Sequence, residues 1–342
     1  MSDPLVTTPV SERTVAAVLA EQVRLRPDKV ALMDAEGRTR TYAELQASAF
    51  SIATGLAKLG VSRQEPVLVM LENHLEHALV FLGTGVGGII EVPINTAFKG
   101  DILRYVVENS GARVVIIEGE WCDRLAAIAD SLTEVETVVV RGSATAELPS
   151  RWHTVDFSEL LDADPIPPHP AAVFEVAAII YTSGTEGPSK GVLCPHGHAY
   201  SMATFPGSLG PDDVVLVTLP FFHAAGLWAG MYNALRSGAT AVIYPTFSVS
   251  RFWDDVRRLG CTYTLMFGPM IPFLSAQPPR PDDADNPLRL VTAIPAPANI
   301  DEFSARFGVD VISSYGMTES GTVCWAEPGE VRPFVCGRAR DF

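Results

Sequence analysis

Short, fully apolar runs alternate with segments of helical period along most of this chain. PVLVML at 66–71, IIEVPI at 89–94, RVVII at 113–117 and TVVV at 137–140 read as buried strands. Between them lie a helix over roughly 75–87 and the helical pattern DILRYVVEN. Upstream, Thr41-Tyr-Ala-Glu44 is a capping-box pattern, opening a helix in which Leu45, Ile52, Leu56 and Leu59 share one face. Residues 162–170, DADPIPPHP, carry four prolines and mark a linker or a long surface crossing. The same grammar then resumes, with strand candidates at 176–181, 214–219, 240–244, 263–267, 288–292 and 309–313 and helices between them. Such alternation implies βαβ units and largely parallel sheet. We therefore expect an α/β fold of two packed lobes, residues 1–170 and 171–342.

Length supports two lobes, because 342 residues are many for one compact core. A composition of 47% hydrophobic and 19% charged residues belongs to a globular protein. The formal charge of −15 argues against broad binding to nucleic acid or to anionic membrane surfaces. An anionic ligand must then be held by local donors. Cys122, Cys194, Cys261, Cys324 and Cys336 are odd in number and form no C-x-x-C pair, which suits reduced thiols and offers no metal framework. The start, MSDPLVTTPVSERT, lacks a basic segment followed by an apolar stretch, and no run approaches the ~18 apolar residues of a membrane span. The expectation is a soluble, cytoplasmic protein with neither nucleic-acid nor membrane partners; a homodimer is left open.

Residues 181–192, YTSGTEGPSKGV, hold three glycines, four Ser or Thr hydroxyls and one lysine. They read either as a surface turn or as a phosphate cradle, in which glycines let backbone N–H groups approach an anion. The Walker spacing fails, since Lys190 stands between Ser189 and Gly191. Two more polar loops follow strand candidates, PFFHAAG at 220–226 and SSYGMTES at 313–320. In parallel α/β sheets ligands bind at the carboxyl ends of strands, so the three loops could converge on one crevice. Taken singly, His223 reads as a packed interior histidine and Glu319 as a solvated charge.

Together, in this order and at these separations, YTSGTEGPSKG, PFFHAAG and SYGMTES resemble the acyl-adenylate-forming superfamily of acyl-CoA synthetases, amino-acid adenylation domains and beetle luciferases. The resemblance covers essentially the whole chain. EVPINTAFKGDILRYVVENSGARVVII is most similar to acyl-CoA ligases of the crotonobetaine/carnitine and medium-chain type. It implies a phosphate loop of Thr182, Ser183, Gly184, Thr185, Glu186, Gly187 and Lys190 for ATP. Tyr315, Gly316, Met317 and Thr318 would meet AMP, the Tyr stacking on adenine and the Thr touching the α-phosphate, while Glu319 would bind Mg²⁺. Catalytic roles fall on His223, Thr318, Glu319 and Lys190. Ala293, Ile294 and Pro295 stand where relatives often carry a Gly-Gly-Ala/Pro adenine loop. Glu186 replaces a common Thr, and Pro188 lies one place earlier than the usual proline.

The acid-pocket candidates are His223, Ala224, Ala225, Gly226, Met231, Phe267, Gly268, Ile271, Ile294, Gly316 and Met317. Their mostly small or apolar character suits a hydrophobic acid, bulky natural product or fatty acid alike. The family reaction is activation of that carboxylic acid by ATP, then transfer to coenzyme A. By resemblance the family continues beyond PFVCGRARDF with a ribose-binding aspartate and a small mobile domain, so the chain reads as an amino-terminal portion. An amino-acid adenylation domain remains an alternative, although those commonly carry Phe-Asp where this chain has Phe222-His223. A non-catalytic acyl- or nucleotide-binding protein is the other.

Overall fold

The computed structural model describes residues 7–182, 187–333 and 335–340. In chain order the strands are β1 Val30–Asp34, β2 Thr39–Thr41, β3 Pro66–Met70, β4 Ile90–Pro93, β5 Val114–Glu118, β6 Thr137–Arg141, β7 His153–Asp156 and β8 Val176–Thr182. There follow β9 Lys190–Pro195, β10 Val214–Val217, β11 Thr240–Ile243, β12 Tyr263–Phe267, β13 Leu290–Ile294, β14 Asp310–Met317, β15 Gly321–Ala326 and β16 Arg338–Ala339. Among the described residues they form two sheets, ordered β7-β6-β5-β3-β4-β8-β9 and β16-β15-β14-β13-β12-β10-β11-β1-β2. Both are mostly parallel. The antiparallel pairs are β8 with β9, β1 with β2, β14 with β15 and β15 with β16.

The sheets are buried on both faces, which is why their strands read as unbroken apolar runs. Along β3, Val67 and Val69 enter a core shared with Ala241 and Ile243 of β11, whereas Leu68 and Met70 face a separate core with Val115 and Ile117. A helical layer lies between the two sheets. Its central helix, Leu75–Gly87, buries eleven side chains or glycines and has almost no polar face. It packs so closely that a Cβ on Gly83 would sit 2.5 Å from Ile52. The capping box forms as expected: Glu44 N–H donates to Thr41 Oγ1 at 3.3 Å and Thr41 N–H to Glu44 Oε2 at 2.7 Å. It starts the helix Tyr42–Lys58, whose Leu45, Ile52 and Leu56 are fully buried.

Sheet membership crosses residue 170 in both directions. β1 joins the nine-stranded sheet through parallel pairing with β11, while β8 and β9 complete the seven-stranded one. Six strands lie outside the sequence expectation, β15 and β16 at the far edge of the nine-stranded sheet among them. β1 and β2 form a hairpin before the first helix pair, β7 extends the sheet past TVVV, and β9 returns antiparallel to β8. No helix among the described residues is long and apolar enough to cross a membrane.

One buried group gives the fold an acid limit. His196 is wholly buried; its Nδ1 accepts from Val15 N–H at 3.5 Å, and its Nε2 has no partner. Burial pushes its pKa down to about 4. In the unfolded chain it titrates near 6.5, so protons bind the unfolded state preferentially between these values and stability falls as pH drops through that window. The cost reaches about 3 kcal/mol at the acid end. His196→Leu is expected to flatten the melting-temperature profile between pH 6.5 and pH 4, and an unchanged slope would contradict the assignment.

Candidate functional site

The loop after β10 is set by a residue from the other sheet. Asn73, directly after β3, is buried; its Nδ2 donates to Leu219 O at 2.8 Å and to Tyr244 O at 3.3 Å, and its Oδ1 accepts from Phe221 N–H at 2.9 Å. Phe221 is thereby fixed in the core, edge-on to His77 at 5.3 Å. The chain then turns out at His223, whose carbonyl accepts from both Gly226 and Leu227 N–H at 3.0 Å. A π-helix, Ala225–Tyr232, begins there. Its wide turn is a frequent device at functional sites. A Cβ on Gly226 would fall 2.3 Å from the carbonyl oxygens of both Leu219 and Pro220, so only glycine fits. His223 is exposed, with the Phe222 ring 4.9 Å away. Desolvation lowers its pKa below the ordinary histidine value, leaving it neutral at neutral pH.

The Tyr-Gly-Met-Thr-Glu segment crosses from β14 into a tight hairpin with β15. Gly316 lies so close to its partner strand that a Cβ would sit 2.3 Å from Gly321 O. Tyr315 and Met317 are exposed, at 44% and 49%, on opposite sides of that glycine. The turn is pinned by His198, whose Nε2 donates to Thr318 O at 2.8 Å and whose ring meets Trp228 of the π-helix edge-on. Glu319 Oε1 accepts from Thr182 Oγ1 at 3.2 Å. Thr182 pairs in turn with Lys190 across the β8–β9 hairpin. The flanks of the expected phosphate loop and the Tyr-Gly-Met-Thr-Glu turn therefore meet. Ser183, Gly184, Thr185 and Glu186 lie outside the described residues. Gly187 is exposed with φ +75°, a conformation that favours glycine.

A cavity of about 210 Å³ opens beneath these loops at the carboxyl ends of β12, β13 and β14. His223, Ala224, Ala225, Phe267, Ile294, Gly316 and Met317 border it, as does Thr318. The other expected pocket residues do not. Gly226 abuts the Leu219 and Pro220 carbonyls, Gly268 abuts Pro295 O, and Met231 and Ile271 are buried in cores. Of the expected adenine loop, Ala293 is fully buried within β13, whereas Ile294 and Pro295 emerge at its end. The sequence reading missed Met202, Phe205, Ala229, Leu265, Ser314 and Thr322. Leu265 and Ser314 precede Phe267 and Gly316 by two, and Ala229 follows Ala225 by four. Strand and helix periods could have found these three. Met202 and Phe205 carry no such signal.

Residues 19–340 match the AMP-binding enzyme family, and the chain belongs to it. It is 33% identical over 336 residues to a sulfoacetate–CoA ligase of Cupriavidus necator, covering 95% of this chain and 64% of that one. It is 32% identical over 277 residues to a medium/long-chain-fatty-acid–CoA ligase of Mycobacterium marinum, covering 79% of this chain and 52% of that one. The chain thus spans about half to two thirds of the length of these relatives. The fold superposes on the anthranilate CoA ligase AuaEII, solved with anthranoyl-AMP, with a TM-score of 0.86 over 99% of this chain and 66% of that one, at 22% identity. The architecture is that of the large amino-terminal domain of acyl-adenylate-forming enzymes.

Proposed function

We propose that this chain is the adenylate-binding part of an AMP-forming acid–CoA ligase for an apolar carboxylic acid. A carboxylate oxygen attacks the α-phosphorus of ATP, forming a P–O bond as pyrophosphate leaves with its bridging oxygen. The thiol of coenzyme A then attacks the acyl carbon, AMP departs and the thiol proton passes to solvent. The observation that carries this reading is the Thr182–Glu319 hydrogen bond, one residue beyond Thr318 at the cavity border, which joins two loops otherwise far apart in sequence.

Each residue has a task in that scheme. Tyr315 offers an exposed ring face to adenine, and Thr318 presents its hydroxyl where the α-phosphate would lie. Lys190 supplies positive charge against the chain's net −15. Neutral His223 at the cavity wall can donate one hydrogen bond to the acid carboxylate without a salt bridge that would lower its nucleophilicity. Among the described residues no cluster of three or more His, Cys, Asp or Glu could hold a metal. Mg²⁺ fits Glu319 through one carboxylate plus nucleotide phosphates and water, the usual mode for this ion. When bound it neutralises phosphate charge.

The test is a thermal-shift panel of non-hydrolysable acyl-adenylate analogues with aliphatic, aromatic and aminoacyl groups. Analogues of apolar acids should raise the melting temperature, since a ligand that binds only the native state stabilises it. Stabilisation by aminoacyl analogues alone would favour an amino-acid adenylation domain. No shift with any analogue would overturn the proposal.

A further inference from the structure

A second, larger cavity of about 420 Å³ lies on the same side of the nine-stranded sheet as the acid pocket, but at the opposite ends of its strands. Strand β14 runs beneath both. Ser314 and Gly316 border the acid pocket, and Ile312 and Asp310, two and four residues back from Ser314, border the second cavity. Successive even positions point to one face of a strand, so both hollows open over the same surface. One side chain borders both: Phe205. It is buried, and its ring packs edge-on against Trp325 at 5.8 Å and 70°. Trp325 itself borders only the second cavity.

The walls beyond Phe205 suit an apolar occupant. Leu290, Ile312 and Trp325 line the floor, and of the charges at the rim all but the exposed Asp310 are engaged. Arg289 pairs with Asp213 at 2.7 Å, Glu327 with Arg338 at 2.6 Å, and Arg340 donates to Thr204 Oγ1 at 2.6 Å. From Ser314 to Asp310 the strand advances roughly 13 Å, so the second cavity could take several methylene groups.

We propose that Phe205, backed by Trp325, is the floor of the acid pocket and sets the length of the acid accepted. The native substrate is then a compact apolar acid, such as a single ring or a short chain. Removing the Phe205 ring joins the two cavities and admits a longer aliphatic tail. This rests on the adenylate reading above, and it names the substrate class of that site.

The experiment is calorimetric titration of acyl-sulfamoyl-adenosines from butanoyl to dodecanoyl into the wild-type chain, Phe205→Leu and Phe205→Ala. Wild type should bind the butanoyl and hexanoyl compounds and lose at least about tenfold in affinity by decanoyl. In the variants that loss should vanish, because each two further methylenes buried in the second cavity contribute about tenfold in affinity. Phe205→Leu keeps most of the packing and decides the matter should Phe205→Ala not fold. Equal wild-type affinity for hexanoyl and decanoyl compounds would overturn the proposal. So would variants that bind the butanoyl compound normally and gain nothing on longer ones. Failure of the butanoyl and hexanoyl compounds to bind wild type would instead strike at the adenylate reading itself.

Discussion

Gly226→Ala is expected to lower the melting temperature by roughly 4–6 °C. The new methyl would lie 2.3 Å from the carbonyl oxygens of Leu219 and Pro220. These are backbone atoms and cannot rotate away. Leu219 O is also held by Asn73, which ties it to the end of β3 in the other sheet. Relief must therefore come from unwinding the first turn of the π-helix or from breaking the Asn73 bonds. Overpacking of this kind costs about 3 kcal/mol or somewhat more. With 342 residues and about 2.1 cal/mol/K of unfolding entropy per residue, each kcal/mol lowers the melting temperature by about 1.4 °C. The same turn carries Ala224 and Ala225 into the acid pocket, so affinity for acyl-adenylate analogues should fall with stability. Gly210→Ala is the control, since nothing lies within 4 Å of a Cβ there. A Gly226→Ala protein that melts with Gly210→Ala would show that the loop is not built on this contact.

Glu319→Gln should leave the fold intact and weaken Mg-ATP binding by about ten- to a hundredfold, the range for losing one charged hydrogen-bonding partner. Glutamine keeps the carbonyl oxygen that accepts from Thr182 Oγ1, so the contact between the two loops survives. What disappears is the negative charge proposed to face the metal–phosphate group. The loss should consequently be large with Mg²⁺ present and small for ATP in EDTA. Equal weakening under both conditions would assign Glu319 a structural part only.

Much of the architecture was legible because both sheets are buried on both faces. PVLVM, IEVP, VVIIE and TVVVR have no polar alternation to confuse a reading, and each is followed by a helical period or a turn signal. β1 was hidden because its local partner is only the three-residue β2, and its other partner, β11, lies some two hundred residues away. β9 was hidden because KGVLCP begins in a glycine-rich loop and ends in proline, and its pairing to β8 needs the intervening turn to reverse the chain. The loops of the site were legible as motifs. Their surroundings were less so. Met231 stands five residues after Gly226 among apolar neighbours and looks like a pocket wall, but the π-helix turns it into the core. Phe205 and Met202 reach the cavity from beyond the hairpin, and nothing in their local sequence marks them. Asn73 and His198 act through backbone carbonyls and an amide, contacts that residue spacing does not reveal.

The account rests on the three loops forming one nucleotide site, and titration of ATP into the chain with Mg²⁺ tests this most directly. The expected result is saturable binding, competed by AMP, weakened by Glu319→Gln in Mg²⁺ and largely unaffected by that change in EDTA. Absence of saturable binding at millimolar ATP, or binding that AMP fails to displace, would contradict it.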